Sequence, residues 1–198
     1  MLRTDNIQIN VGTYWDGVYS DPERQKEYWG KSERFIKALE YLKPKDKFLD
    51  IGCGVGTMCK MVEDKYPDVE IWGADISKKT MERNKTLYPK MKFFANRVGS
   101  LRDIPDNYFD VVFAGEILEH LDDPDQLFKD AYSKLKKGGI FIVTTPYKDA
   151  VHSQEHVWYF DNDDIENLYI NNGYSEMHFE KLPNMEYLYV MFSWGVKV

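Results

Sequence analysis

The chain has 198 residues, with 26 Lys+Arg against 33 Asp+Glu, a formal charge of −7, 43% hydrophobic residues and 15% aromatics. That length suits one domain with a sizeable core, while apolar runs such as Ile140–Val143 fall far below the ~20 residues of a membrane span. Two cysteines exclude a disulfide scaffold, and the acidic balance speaks against a polyanionic partner such as nucleic acid. Met1–Asn6 lacks the apolar stretch of a secretion signal, so the expected location is cytoplasmic, with no membrane contact. Oligomeric state stays open.

Residues 1–30 are aromatic and polar, show no sustained period before Pro22, and are expected to cap the rest of the chain. Asp21-Pro22-Glu23 reads as a helix start, with an N-cap, a first-turn proline and an acid facing the dipole. A second amphipathic stretch, 32–42, places Phe35, Ile36, Leu39 and Leu42 on one face and stops at Pro44. Short apolar runs at 47–51, 70–75, 91–95, 110–114 and 140–145 then alternate with helix-like segments at 57–66, 78–88 and 123–137. Lys136-Lys137-Gly138-Gly139 reads as a helix ending. Asn162–Asn171 reads as a further helix, and 174–181 and 186–194 as strands of a hairpin. The pattern predicts an open α/β sheet, mostly parallel, with helices on both faces and an antiparallel C-terminal edge. The main domain spans 31–198.

The most informative stretch is Phe48-Leu49-Asp50-Ile51-Gly52-Cys53-Gly54-Val55-Gly56-Thr57. An apolar strand runs into a GxGxG turn and directly into a helix. Glycines there let the backbone turn sharply and let a ligand approach with no Cβ in the way. The helix N-terminus aims free N–H groups into the same space, beyond the C-ends of the strands where such sheets bind ligands. A nicotinamide fingerprint, GxGxxG, would need glycine at position 57, which is Thr57; an oxidoreductase is therefore disfavoured. Ile71-Trp72-Gly73-Ala74-Asp75 ends the next strand with a carboxylate suited to the two hydroxyls of a ribose. Cys53 and Cys59 flank the loop and read as buried structural residues.

Over about residues 33–182 the chain resembles the class I S-adenosylmethionine (SAM)-dependent methyltransferases. The resemblance rests on the glycine loop, on Gly73-Ala74-Asp75-Ile76, on Asp106-Asn107-Tyr108-Phe109-Asp110-Val111-Val112 leading into the fourth strand, and on Lys137-Gly138-Gly139 before the fifth. It implies a Rossmann-like sheet of seven strands and SAM as cofactor. It assigns the methionine end to Asp50, Gly52 and Gly54, close approach to Gly56, the ribose to Asp75 and the adenine face to Ile76. Glu116, at the end of the fourth strand, borders the same crevice. The family usually offers the adenine amino group an acid after the third strand. Here Asn96-Arg97-Val98-Gly99-Ser100-Leu101 has none, so recognition is expected from the backbone around Gly99 and Ser100 or from the Asn96 side chain.

Gly115-Glu116-Ile117-Leu118-Glu119-His120-Leu121 follows the fourth strand. Glu116, Glu119 and His120 stand at i, i+3 and i+4, which puts them on one face of a helical turn as ligands suited to a divalent cation. A fourth ligand is available from the loop His152–Phe160. A Glu-x-x-Glu-His string with a later histidine before an aromatic resembles the metal-assisted O-methyltransferases of ubiquinone biosynthesis and the small-RNA 3′-terminal 2′-O-methyltransferases. That resemblance carries a metal role (Mg²⁺, Mn²⁺ or Zn²⁺) to Glu116, Glu119, His120 and His156, and a catalytic one to His120, Glu116 and His156. A cation would lower a hydroxyl's pKa and fix its oxygen near the methyl group. Two plainer readings stand beside it: His120 as a metal-free general base, and the glutamates as partners of a helix dipole.

The expected activity is O-methylation of a small-molecule or sugar hydroxyl. Metal-free N- or C-methylation, an RNA 3′-end acceptor, and a non-catalytic SAM-binding module are the alternatives. Tyr14, Trp15, Tyr19, Tyr28 and Trp29 form a candidate lid, and Tyr147, Trp158, Tyr159 and Phe160 candidate acceptor-pocket walls.

Overall fold

The computed structural model describes residues 1–4, 11–21, 32–150, 153–184 and 188–198. In chain order the strands are β1 (Leu2–Arg3), β2 (Lys47–Ile51), β3 (Glu70–Asp75), β4 (Lys92–Ala95), β5 (Phe109–Gly115), β6 (Leu135–Pro146), β7 (Trp158–Tyr159), β8 (Tyr174–Asn184) and β9 (Leu188–Lys197). The helices are α1 (Gly12–Val18), α2 (Glu33–Ala38), α3 (Thr57–Lys65), α4 (Lys78–Leu87), α5 (Pro124–Lys134) and α6 (Asn162–Asn171), with 3₁₀ turns at Leu39–Tyr41 and Leu118–His120.

Seven strands form one sheet in the order β4-β3-β2-β5-β6-β9-β8. Strands β2 to β6 are parallel, β9 lies antiparallel to β6, and β8 closes a hairpin with β9. The chain moves outward from β2 to β3 and β4, then crosses back to β5 on the other side of β2. Connections leaving β2 and β5 diverge there, opening a crevice at the strand C-ends.

Alternation along each strand feeds two cores. Leu49, Val112, Phe141 and Val143 face Leu127, Phe128 and Ala131 of α5 and Ile165, Leu168 and Tyr169 of α6. Phe48, Val111, Phe113 and Ile142 face Phe35 and Ala38 of α2, Met58, Cys59 and Val62 of α3, and Met81 of α4. Each fully buried large apolar side chain contributes about 1.5–3 kcal/mol. Local signals set the helix starts: Ser77 accepts from Thr80 N, Asp123 from Asp125 N with Pro124 next, and Asp161 and Asp164 form a capping box.

Several expectations need correction. The helix read over 123–137 stops at Lys134, and Leu135 through Gly139 already belongs to β6. The pairing with β5 slips between Phe109–Leu135 and Val111–Ile140, and the slip accommodates Lys136 to Gly139, with Gly138 at φ 79°. In the 32–42 stretch the helix ends at Ala38 and tightens into a 3₁₀ turn; Ile36 faces outward (46% exposed), and Ala38 is buried with Phe35, Leu39 and Leu42. Within 1–30, α1 and β1 are ordered elements that no periodicity announced: α1 has only seven residues, without a side-chain cap, and β1 has two, paired with β7. The helix start expected at Asp21-Pro22-Glu23, and Tyr28 and Trp29, lie at or beyond the edge of the described residues.

Candidate active site

The glycine loop leaves β2 and is locked onto the end of β3. Gly52 N and Cys53 N donate to the Ala74 carbonyl at 2.7 and 3.1 Å, and Gly54 N donates to Asp75 Oδ2 at 3.0 Å. From α4, the buried Asn84 donates its Nδ2 to the Gly54 carbonyl at 2.8 Å. Two positions require glycine. Gly52, at φ +79°, would set a Cβ 2.6 Å from Ile117 Cδ1 and 3.1 Å from its Cβ; Gly54, at φ +48°, would set one 3.1 Å from the Tyr19 ring. Gly56 caps α3 in the left-handed region.

Beyond this loop opens a cleft of about 1340 Å³, solvent at its mouth included. Its walls include Asp50, Gly52, Gly54, Asp75, Ile76, Glu116 and His120, so six of the sequence-assigned cofactor residues border it together with His120; Gly56 does not, and a Cβ there would meet Tyr88 and Asn84. Both aspartates are buried. Burial pushes the Asp50 carboxyl up to about 8, and the neighbouring Asp75 charge adds to the rise. Asp75 is also raised by burial, against the opposing pull of the Ser77 and Gly54 N–H groups and the Tyr19 hydroxyl. Asn96, Arg97 and Val98 border the same space.

Gly99 and Ser100, expected beside an adenine, are not among the cleft residues. Gly99 N donates outward to Asp130 Oδ2 at 2.6 Å, and Ser100 N folds back on the Arg97 carbonyl. The turn therefore presents 96–98 to the cleft instead.

The second cluster forms, with a changed membership. Glu119, His120 and His156 bring one ligand atom each within 4.8 Å of one another. Thr145 Oγ1 donates to Glu119 Oε2 at 3.0 Å, and the His120 and His156 rings meet edge to face at 5.1 Å. His120 Nδ1 lies 2.9 Å from the Glu155 carbonyl. A carbonyl only accepts, so Nδ1 carries the proton there and Nε2 of a neutral ring holds the lone pair. Glu116 stands outside this trio. It has left-handed backbone, φ 53°, and its N–H is bonded to the Thr144 carbonyl, so the expected single helical face does not exist; Glu116 borders the cleft, whereas Glu119 and His156 lie buried behind His120. His152 lies outside the described residues.

Helix α1 packs over the mouth. Trp15 meets His120 edge to face at 5.2 Å and stacks on Tyr19 at 5.7 Å. Tyr14 OH donates to Glu155, and Ser77 to Asp16. Of the expected acceptor walls, Phe160 is fully buried in the core, and Trp158 Nε1 donates to the Leu121 carbonyl; none of Tyr147, Trp158, Tyr159 and Phe160 borders the cleft, whereas Trp15, Val18, Tyr19, Leu121 and Glu155 do.

Residues 49–143 match the family described as a methyltransferase domain. The fold is the Rossmann-like one of SAM-dependent methyltransferases. Among curated relatives, it is 31% identical to phosphoethanolamine N-methyltransferase 3 of Arabidopsis thaliana over 57% of this chain and 23% of that protein. It is 30% identical to 2-methyl-6-phytyl-1,4-hydroquinone methyltransferase of Synechocystis over 66% of this chain and 45% of that one. The chain thus spans less than half the length of either relative. Among solved structures, phosphoethanolamine N-methyltransferase 2 of Haemonchus contortus, in complex with phosphomonomethylethanolamine and S-adenosylhomocysteine, has the same fold. The TM-score is 0.72 at 16% identity, over 93% of this chain and 58% of that one.

One cleft residue of note was missed from the sequence, and Tyr19 was placed in the lid without its bond to Asp75. Arg34 is buried in α2, and Tyr19 donates to Asp75 at 3.4 Å. Neither belongs to a recognisable motif. A lone arginine in an amphipathic helix reads as a solvent-facing charge, and only the tertiary packing turns it inward.

Proposed function

We propose that this chain transfers the methyl group of SAM to a hydroxyl of a small-molecule or sugar acceptor. The carrying observation is that the glycine loop, two buried acids and His120 border one cleft. In this reading Asp75 takes the ribose hydroxyls, with the Tyr19 hydroxyl yielding to them. Ile76 and Val98 cover the adenine, and Asn96, not Gly99 or Ser100, meets its edge. Asp50, Gly52 and Glu116 hold the amino-acid end, whose ammonium matches the two carboxyls, and Gly54, without a Cβ, lets the backbone and the Tyr19 ring sit close together at the cleft wall; Gly56 serves the turn into α3. SAM supplies an electrophilic methyl on a sulfonium centre.

The protein's part is alignment and exclusion of water. Residues 1–30 act as a lid over the domain of 31–198, with Trp15 and Tyr19 closing the mouth; their ring faces suit a sulfonium cation. His120 Nε2, 3.8 Å from Glu119 Oε1, removes the acceptor's hydroxyl proton. The Glu155 carbonyl fixes the ring through Nδ1. Glu119 and His156, packed behind, keep that imidazole in place.

The trio also fits a divalent ion. Two imidazoles and a carboxylate match the N/O donor set of zinc or manganese better than the all-oxygen set of magnesium. Glu119, His120 and His156 would hold it, and it would supply acidification of the acceptor hydroxyl; Glu116 is not part of that trio. A second reading, metal-free N- or C-methylation, draws support from the printed names of the phosphoethanolamine and hydroquinone relatives. A reducing, cytoplasmic setting agrees with two free buried thiols, and no described helix is long and apolar enough to cross a membrane.

The test is formation of S-adenosylhomocysteine from SAM across panels of hydroxyl, amine and ring-carbon acceptors, with and without EDTA. Turnover on hydroxyls that is lost in His120→Ala supports the proposal. Turnover confined to amines or carbon acceptors overturns the oxygen assignment, and indifference to EDTA removes the metal.

A further inference from the structure

A peptide unit is planar, so holding its carbonyl and its N–H fixes the plane and the direction in which the chain presents the neighbouring side chains. The unit between His156 and Val157 is held at both ends. Val157 N donates to the Glu119 carbonyl at 2.8 Å, and the His156 carbonyl accepts from Thr4 Oγ1 at 3.0 Å. The unit lies between β6 and β7, outside any helix or strand, so these bonds and not a ladder of its own set its orientation.

Two parts of the chain do the holding. One is the 3₁₀ turn Leu118–His120 with the residue after it. Besides the Glu119 bond, His120 Nδ1 donates to the Glu155 carbonyl at 2.9 Å, and the Leu121 carbonyl accepts from Trp158 Nε1 at 2.8 Å. The other is the strap 2–4, more than 150 residues away in sequence. Thr4 N donates to the Val157 carbonyl at 2.9 Å, Arg3 pairs antiparallel with Trp158 and Leu2 with Tyr159, and the Arg3 guanidinium lies 5.6 Å from the Trp158 ring centroid. Leu2, Arg3 and Thr4 do not border the cleft, whereas Trp15 and Tyr19 around α1 do, so the strap is a separate element from the cover over the mouth. What it fastens is the backbone of His156, whose fully buried ring meets His120 at 5.1 Å beside the buried Glu119.

We infer that Thr4 is a positioning residue of the Glu119, His120 and His156 trio, acting through the 156–157 peptide. With both Thr4 donors in place the plane is fixed and the His156 ring stands against His120. Without the hydroxyl the plane is held at its N–H alone. Partners one bond removed from a reactive or metal-binding imidazole set its orientation in this way. The inference rests on the trio being the reactive cluster of the proposed function; Thr4 itself touches neither cofactor nor acceptor there. Serine keeps both donors, valine keeps the shape of threonine and only the N–H, and proline keeps neither.

The test compares the full chain with Thr4→Ser, Thr4→Val and Thr4→Pro. The readouts are NMR of isotope-labelled histidine rings and calorimetry with zinc, manganese and S-adenosylhomocysteine. Thr4→Ser reproduces the wild-type ring signals of His120 and His156, Thr4→Val displaces them, and Thr4→Pro displaces them further. His178, stacked on Trp194 of β9, keeps its signal throughout. The metal heats weaken about 2- to 10-fold in Thr4→Val and about 5- to 100-fold in Thr4→Pro, one and two hydrogen bonds being lost, and Thr4→Ser restores them. S-adenosylhomocysteine binds all four proteins alike. Ring signals that stay in place in Thr4→Val and Thr4→Pro overturn the inference. So does a loss of S-adenosylhomocysteine affinity in step with the ring displacement, which would make the strap part of the cofactor cover. A wild type that takes up neither metal refutes the metal reading separately, and the ring signals then decide the role of Thr4 by themselves.

Discussion

Asp50→Asn is the perturbation with the sharpest signature. In the folded protein burial holds the Asp50 carboxyl up at about 8, against an ordinary value of 3.8. Between those two values the unfolded chain has released a proton that the folded chain keeps. Stability therefore falls as pH rises across that window, by up to about 1.4 kcal/mol per unit, and levels off above pH 8. Some four units set a ceiling of about 6 kcal/mol; because the carboxyl borders an open cleft, roughly half that is the expected size. Asparagine has nearly the same shape and no charge to release. Urea unfolding of both proteins at pH 5, 6, 7, 8 and 9 should show the variant gaining on the wild type as pH rises, with the gain reaching a plateau near pH 8. A stability difference that stays constant across the series would refute the buried, protonated Asp50. The same linkage makes S-adenosylhomocysteine bind the wild type more tightly as pH approaches 8, if its ammonium draws Asp50 into the ionised form, and Asp50→Asn should lose that slope.

Asp75→Ala removes the carboxylate that takes Gly54 N and Ser77 N, and should weaken S-adenosylhomocysteine by about 1–3 kcal/mol in calorimetry. Gly54→Val forces a branched side chain into left-handed backbone and into the Tyr19 ring, and should abolish that binding while circular dichroism stays native. Zinc or manganese titrated into the wild type should give a saturable heat that Glu119→Gln and His156→Gln both lose; equal heats in all three proteins would remove the metal site. Phe128→Ala empties a position where Phe141, Tyr169 and Tyr174 converge, and should cost about 3–5 kcal/mol in urea unfolding.

Period and punctuation carried most of the architecture. Strands β2 and β3 fall on the residues their apolar runs marked, and α6 on the span between Asp161 and Asn172, because each is bounded by a strong local signal. What escaped depended on partners distant in sequence. Nothing local in Leu2-Arg3 foretells pairing with Trp158-Tyr159, and α1 is held by contacts such as Asp16 to Ser77 that form only after α4 is in place. The site divides the same way. Asp50, Gly52, Gly54 and Asp75 were legible because strand–glycine–helix geometry dictates where they point. Glu116 was misjudged because a left-handed residue at the strand exit breaks the helical spacing on which its grouping with Glu119 and His120 relied. Gly99 and Ser100 were misjudged because Asp130, thirty-one residues on, captures Gly99 N.

The most direct measurement is calorimetric titration of the unliganded protein with S-adenosylhomocysteine, with NADH as the competing candidate. One saturable site per chain for the thioether and no heat from NADH is the predicted result. A flat S-adenosylhomocysteine isotherm from a folded sample, or preference for NADH, would contradict the assignment of the crevice between β2, β3 and β5.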